Sequence, residues 1–174
     1  VVGTGIIGHF MCDLARKAGA SFVAMSKRHD IKTRKARELN LCDTFYESSP
    51  ESVKQMLEDT DGGFDVVFEA VGAAETLNMC IEAVKPGGEI VMVGNSIDPQ
   101  ISVDVNRLVL KEVKLHGSVS CTRTEFTETI NLIASGMVDA ESFVTDIVPL
   151  DDLQHTFERL TDHNDQILKA VVKP

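Results

Sequence analysis

The chain has 174 residues, 43% of them hydrophobic, and a formal net charge of −10 at pH 7, which is enough apolar material for one buried core. The acidic balance leaves no broad basic face, and no segment reaches the roughly 18 apolar residues of a membrane helix, so we expect neither a nucleic-acid partner nor a membrane. The cysteines have neither zinc-site nor disulfide spacing, which is typical of reduced thiols in a cytoplasmic protein: Cys12, Cys42, Cys80 and Cys121.

The first eight residues end a strand and enter a G-x-G-x-x-G turn, formed by Gly3, Thr4, Gly5, Ile6, Ile7 and Gly8. In a dinucleotide site the first glycine makes the tight turn, the second admits a pyrophosphate and the third lets helix and strand pack closely. Helical periodicity from Ile6 to Ala18 follows, so the pattern favours phosphate binding at a helix N-terminus over a purely structural turn. Because only Val1 and Val2 precede the glycines, we expect the first strand to begin before residue 1.

The apolar run 21–25 predicts a second strand, and the residues after it bear on the type of coenzyme. An NAD site usually has an acidic residue about twenty positions beyond the glycine turn, where it binds the ribose hydroxyls. Here Ser26 stands at that place, followed by Lys27 and Arg28. A hydroxyl beside two cations suits a 2′-phosphate, so we expect NADP(H) to be favoured, with NAD(H) as the alternative. The further basic residues between 32 and 37 are typical of a solvated helix face.

The remaining pattern alternates strands with helices, which predicts an α/β fold: a doubly wound parallel sheet of the Rossmann type in three layers, α/β/α. We expect strands at 64–69, 89–93, 113–119 and 167–172, and helices at 74–84, 123–134 and 151–160. Ligands of such sheets bind beyond the carboxyl ends of the strands. Small residues and glycines dominate those ends in this sequence.

Five segments of the chain resemble the coenzyme-binding half of the medium-chain alcohol dehydrogenases and occur in the same order as in that family: G-T-G-I-I-G, F-D-V-V-F-E-A-V-G, V-K-P-G-G-E-I-V-M-V-G, V-N-R-L-V-L-K-E-V-K-L-H-G-S and I-L-K-A-V-V-K-P. The sequence is most similar to the zinc-dependent polyol, threonine and butanediol dehydrogenase branch, over essentially its whole length. The resemblance implies an oxidoreductase that transfers hydride between an alcohol or polyol and a nicotinamide coenzyme, with this chain as the coenzyme-binding half.

The resemblance also implies roles for particular residues of this half. In the family, the loops matching Val71 and Gly72, and Val93, Gly94 and Asn95, lie against the nicotinamide half of the coenzyme. The segment matching Ser118, Val119 and Ser120 approaches the carboxamide, and Lys169 falls where members carry a basic residue near the pyrophosphate.

A separate N-terminal, GroES-like catalytic domain supplies the zinc ligands in this family. We therefore assign no catalytic residue and no metal ligand to this chain, and expect it to bind coenzyme without turnover. The histidines have no spacing typical of ligands: His9, His29, His116, His155 and His163.

Two predictions concern organisation beyond the coenzyme site. Residues 1–142 are expected to form the Rossmann domain, with a truncated first strand, and residues 143–174 to return toward the catalytic domain. Residues 100–105 alternate apolar and polar side chains, and in relatives the matching edge strand pairs with its copy across a two-fold axis. We expect a homodimer through this edge; the alternative is an edge covered within the monomer.

Other functions use the same glycine turn. A zinc-free quinone or enoyl reductase shares this coenzyme fold and differs in the catalytic domain. A nucleotide-sensing regulatory module would bind coenzyme without chemistry. A methyltransferase fits poorly, because its adenosine site favours an acidic residue where this chain has Ser26.

Overall fold

The structure, a computed structural model, describes residues 1–27, 30–98, 100–162 and 167–174. The chain divides into two compact units. The first unit comprises Val1–Arg28 and Cys42–Ser120, and the second comprises His29–Leu41 and Cys121–Pro174. The division at residue 142 that the sequence suggests stays a prediction.

Helices and strands alternate along most of the chain. The helices are α1 (Ile6–Lys17), α2 (Asp30–Glu38), α3 (Ser52–Asp59), α4 (Ala74–Ala83), α5 (Val105–Leu110), α6 (Arg123–Ala134) and α7 (Leu153–Thr161), with short 3-10 turns at Glu141–Phe143 and Leu150–Asp152. The strands are β1 (Ala24–Lys27), β2 (Thr44–Glu47), β3 (Phe64–Glu69), β4 (Val84–Met92), β5 (Lys114–Gly117), β6 (Asp146–Pro149) and β7 (Ala170–Lys173).

One parallel sheet runs through the first unit. β1 pairs with β2, and β3, β4 and β5 pair in that order. Val1 and Val2 join the two groups: the Ser26 amide donates to the Val1 carbonyl at 2.8 Å, and the Ala70 amide donates to the Val2 carbonyl at 2.8 Å. The strand order is therefore β2, β1, Val1–Val2, β3, β4, β5, which confirms the predicted doubly wound sheet.

The helices of the first unit cover both faces of this sheet. Parallel crossovers are right-handed. The chain moves through α1 to β1 in one direction from Val1–Val2, and through α4 to β4 in the other, so α1 and α4 lie on opposite faces. α3 packs beside α4. The three layers predicted from the sequence are present.

α4 provides much of the core because its apolar side chains recur at helical spacing. Leu77, Cys80 and Ile81 are 2%, 0% and 0% exposed. Full burial of a leucine or isoleucine side chain contributes about 1.5–3 kcal/mol. These residues fix α4 on the sheet and thereby position the turn at its N-terminus, which borders the candidate site.

The second unit contains its own parallel pair. β6 pairs with β7 from Asp146 opposite Ala170 to Pro149 opposite Lys173. The last strand begins later than the predicted residue 167, because the Leu168 amide donates to the Thr145 hydroxyl at 3.0 Å instead of entering the ladder. α6 begins at the predicted residue with a capping box between Thr122 and Glu125.

Several local expectations differ from the structure. β4 begins at Val84 and not at the predicted Glu89, because Val84 already pairs with Phe64 of β3. The strand predicted at 21–25 begins at Ala24, and β2 and α3 were not predicted. The structure assigns no strand to its described residues between 100 and 104. The backbone of this segment is hydrogen-bonded by a side chain and not by a neighbouring strand. The Asn78 amide group donates to the Ser102 carbonyl at 2.9 Å, and the Asn78 side-chain oxygen accepts from the Asp104 amide at 2.9 Å.

All four cysteines lie in the described ranges and are free thiols. Burial raises the pKa of Cys12 to about 11 and the pKa values of Cys42 and Cys80 to about 12. These thiols therefore stay protonated near neutral pH, whereas Cys121 is exposed. Each helix in the described part of the chain is too short or too polar to cross a bilayer.

Lys111 caps the C-terminal end of α4. Its ammonium donates to the carbonyls of Ile81 at 2.9 Å, Glu82 at 2.6 Å and Val84 at 2.8 Å. Partial burial lowers the pKa of this amine from its ordinary value.

Lys111→Met is expected to lower the free energy of unfolding by about 2–3 kcal/mol, because charge-assisted hydrogen bonds to the helix end are lost. Urea denaturation followed by circular dichroism measures the change. Lys114→Met, at an exposed position of β5, removes the same charge nearby and serves as the control. Equal stability of the two variants would show that the cap contributes nothing.

Candidate functional site

The N-terminus of α1 lies at the carboxyl edge of the sheet and is free to accept a ligand. Gly5 is its N-cap residue, with φ −74° and ψ 177°, and none of the described side chains caps the helix. The first N–H groups of a helix have no partner within it, and they carry the positive end of the helix dipole. A Cβ added to the exposed Gly5 would meet no described atom within 4 Å. This open, uncapped end suits a phosphate.

The other two glycines of the turn are enclosed by backbone. Gly3 has φ +124°, and a Cβ there would lie 3.1 Å from the Ala70 carbonyl oxygen. A Cβ on Gly8 would lie 2.0 Å from the carbonyl oxygen of Gly3. Buried His9 donates from Nδ1 to the Gly5 carbonyl at 2.9 Å. The backbone is thus closely packed around Gly3 and Gly8, whereas the space beside Gly5 is open. Thr4, Ile6 and Ile7 are the remaining residues of the turn.

The end of β1 contacts the glycine turn. Ser26 is only 5% exposed, and its hydroxyl accepts a hydrogen bond from the Gly3 amide at 3.0 Å, which leaves the hydroxyl proton to donate. Lys27 forms an ion pair with Glu47, the last residue of β2, at 2.6 Å. Arg28, which the sequence places in the same site, lies outside the described residues. The structure therefore brings Ser26 to the turn and adds an acidic neighbour of Lys27 that the sequence did not predict.

The loops after β3 and β4 pack backbone against backbone. A Cβ on Gly72 would lie 2.3 Å from the Asn95 carbonyl oxygen, and a Cβ on Gly94 would lie 2.3 Å from the Gly72 amide nitrogen. Val71 and Asn95 are exposed, and Val93 is half-buried. The residues predicted to face the nicotinamide thus form one continuous surface at the carboxyl edge of the sheet.

The segment after β5 extends this surface. The Ser118 amide donates to the Met92 carbonyl at 2.8 Å, which places Ser118 beside Val93. Val119 is 82% exposed, and Ser120 has φ +56°, in the left-handed region. Within the first unit, the structure thus places the glycine turn, Ser26, both loops and Ser118 at the carboxyl edge of the sheet.

Glu69 belongs to this edge although the sequence analysis did not single it out. It ends β3 and is 0% exposed, and its carboxylate accepts from the amides of Val71 at 3.1 Å and Gly72 at 3.0 Å. A glutamate ending an apolar strand, two residues before a glycine-containing loop, is the signal that could have identified it.

Two further predictions concern Lys169 and metal ligands. Lys169 is exposed in the second unit, where its carbonyl accepts from the Thr145 amide at 2.9 Å. Among the described residues, no cluster of three or more histidine, cysteine, aspartate or glutamate side chains is placed to hold a metal ion. His29 and His163 lie outside the described residues.

Known proteins that resemble this chain are dehydrogenases, as a coenzyme site at this edge of the sheet suggests. A family model described as zinc-binding dehydrogenase matches residues 7–135, which is most of the chain. The chain belongs to the zinc-binding dehydrogenase family. The chain is 30% identical to the (R,R)-butanediol dehydrogenase of Neisseria gonorrhoeae over 177 residues, which cover 100% of this chain and 49% of that protein.

Solved structures of zinc-binding dehydrogenases and related enzymes superpose on the chain. The crystal structure of 2R,3R-butanediol dehydrogenase from Bacillus subtilis gives a TM-score of 0.88 at 27% identity and covers 99% of this chain and 49% of that one. A protein from Sinorhizobium meliloti 1021, described as a zinc-binding dehydrogenase and solved bound to NADP, gives 0.85 at 24% identity, covering 99% of this chain and 51% of that one; this likeness shows the fold alone. The chain spans about half the length of the curated relatives that it matches.

Proposed function

We propose that this chain is the coenzyme-binding half of a zinc-type, medium-chain oxidoreductase that transfers hydride between an alcohol or polyol and a nicotinamide coenzyme, with NADP(H) favoured. The observation that carries the proposal is the uncapped N-terminus of α1, with open space above Gly5 and the Ser26 hydroxyl beside it. An anion site adjoining a hydroxyl and a cation fits a pyrophosphate followed by a phosphorylated ribose.

Each group of residues has a distinct role in this proposal. The first amides of α1 bind the pyrophosphate, and the open space above Gly5 lets it approach the backbone. Ser26 donates to the 2′-phosphate, while Lys27 and Arg28 neutralise its charge. The loops at Val71–Gly72 and Val93–Asn95, with Ser118, Val119 and Ser120, orient the nicotinamide ring. Lys169 is proposed to assist at the pyrophosphate. When bound, the coenzyme supplies the carbon that accepts or donates hydride.

The zinc implied by the family does not fit the described residues, because they contain no ligand cluster. We therefore assign no step of the reaction to a metal in this chain. The catalytic residues and the zinc are proposed to belong to a separate catalytic domain of the same protein, so this chain alone is expected to bind coenzyme without turnover.

The chain is also proposed to form a homodimer through residues 100–105. The Asn78 side chain bonds one edge of this segment, at the Ser102 carbonyl and the Asp104 amide, and this supports pairing of the opposite edge with a second copy. The free thiols support a cytoplasmic location.

Calorimetric titration with NADP⁺ and NAD⁺ at matched ionic strength tests the proposed function. We expect NADP⁺ to bind at least roughly tenfold more tightly, a difference of about 1.4 kcal/mol. Equal binding or a preference for NAD⁺ would contradict the assigned phosphate pocket but keep the coenzyme site. If neither dinucleotide binds, the proposal that this chain holds the coenzyme by itself is wrong.

A further inference from the structure

The carboxylate of Glu69 is buried at the carboxyl edge of the sheet, and the roles proposed above do not explain it. A buried charge is costly unless hydrogen bonds compensate for its lost hydration. Glu69 is 0% exposed, yet it lies at the end of β3 among residues proposed to bind coenzyme. The groups that donate hydrogen bonds to the Glu69 carboxylate therefore indicate its role.

The side chain of Glu69 holds the loop that follows β3. Oε1 accepts from the amides of Val71 at 3.1 Å and Gly72 at 3.0 Å, and Oε2 lies 3.1 Å from the same Gly72 amide. The Thr76 hydroxyl is 2.7 Å from Oε1, which ties the first turn of α4 to the same carboxylate.

The backbone of Glu69 holds the neighbouring loop. Its carbonyl oxygen accepts from the amides of Val93 at 2.8 Å and Gly94 at 3.0 Å. One residue thus anchors both loops, whose glycines are too close for any side chain between them. The surface above them opens into a cavity of about 590 Å³ lined by Val71, Gly72 and Asn95.

We propose that Glu69 is the positioning residue for the nicotinamide end of the coenzyme, acting through these two loops rather than by touching the ring. The inference rests on the proposed coenzyme-binding function. β3 also borders the glycine turn, since the Ala70 carbonyl would lie 3.1 Å from a Cβ on Gly3. Among the hydrogen bonds that the structure describes, however, the carboxylate of Glu69 accepts only from donors of the loop after β3 and of α4: Val71, Gly72 and Thr76. We therefore expect the loss of this carboxylate to affect the nicotinamide end more than the adenosine end.

Glu69→Gln keeps the shape of the side chain but replaces one acceptor oxygen with an NH₂ donor, which faces donors of the loop or of Thr76. The test compares two ligands by calorimetry on the 174-residue chain: NADPH and 2′-phospho-ADP-ribose, which lacks only the nicotinamide. We expect Glu69→Gln to weaken NADPH at least about tenfold and 2′-phospho-ADP-ribose less than about twofold. Glu75→Gln removes an exposed carboxylate from the rim of the same cavity and is the control.

The outcomes separate this inference from the proposed function. Equal weakening of both ligands, or no weakening of either, overturns the positioning role of Glu69 while the proposed function stands. If the unaltered chain binds neither ligand, the proposed function falls and the inference with it.

A second pair of variants tests the role without removing the buried charge. Thr76→Val deletes one donor to Glu69, and we expect a smaller loss, again confined to NADPH, which Thr76→Ser restores by keeping the hydroxyl. If Glu69→Gln does not fold, this pair decides: NADPH binding by Thr76→Val equal to that of Thr76→Ser overturns the inference.

Discussion

Gly8→Ala is expected to destabilise the fold by about 4 kcal/mol or more, a large part of the 5–15 kcal/mol typical of a domain. The added Cβ would lie 2.0 Å from the Gly3 carbonyl oxygen and 3.0 Å from its carbon. Neither atom belongs to a flexible side chain, and Gly3 is itself confined by the Ala70 carbonyl at 3.1 Å from its own Cβ position. The turn must open, which separates α1 from the sheet. Urea denaturation followed by circular dichroism measures the loss.

Gly5→Ala is the matched control in the same turn. Its φ of −74° is ordinary for alanine and no described atom lies within 4 Å of the new Cβ, so we expect stability to change by less than about 1 kcal/mol. The methyl group occupies the space proposed for the pyrophosphate, so coenzyme affinity should fall at least about tenfold. A Gly5→Ala variant that unfolds, or a Gly8→Ala variant as stable as the parent, would contradict the assignment of these two glycines.

The local elements that the sequence predicted well are those with strong periodicity or clear boundaries. β3 and α6 have the predicted bounds, and α1 ends one residue before the predicted Ala18, because an apolar repeat, a glycine stop or a capping box marks each. β2 lacked such a signal: Thr44–Glu47 has only four residues, too few for an alternating pattern to be recognised, and pairing with β1 completes it as a strand. Its Thr, Phe and Tyr residues favour strands, so the prediction failed through shortness and not through an opposing local preference.

In the candidate site, too, the features with a local sequence signal were predicted and those that depend on distant neighbours were not. The glycine turn is local in sequence, so its conformation could be predicted. The interactions of Glu47 and Glu69 depend on neighbours across strands or in a following loop, which periodicity does not reveal. Residues 100–105 alternate like a strand, but pairing requires a neighbouring strand. The structure instead describes the Asn78 side chain beside Ser102 and Asp104.

Ser26→Asp is expected to reverse the proposed coenzyme preference. The serine is buried against the Gly3 amide, so an aspartate there places a carboxylate beside the ribose. Two charges about 5 Å apart at an effective dielectric constant near 20 repel by roughly 3 kcal/mol, so NADP⁺ affinity should fall about 100-fold. The carboxylate can accept from the ribose hydroxyls of NAD⁺, whose affinity should rise. Calorimetry with both coenzymes measures the reversal, and a thermal melt verifies that the variant folds.

Glu47→Gln provides the opposite change at the same pocket. The ion pair at 2.6 Å holds Lys27 toward β2, and its glutamate is largely exposed, so the pair contributes at most about 1 kcal/mol. Without it, Lys27 is free to turn toward the 2′-phosphate, and the local charge becomes more positive by one. NADP⁺ affinity should therefore rise up to about fivefold while NAD⁺ affinity stays within twofold, about the range of such a pair. Ser26→Asp and Glu47→Gln change the charge of the pocket in opposite directions. If both variants change NADP⁺ affinity in the same direction, this pocket does not bind the phosphate.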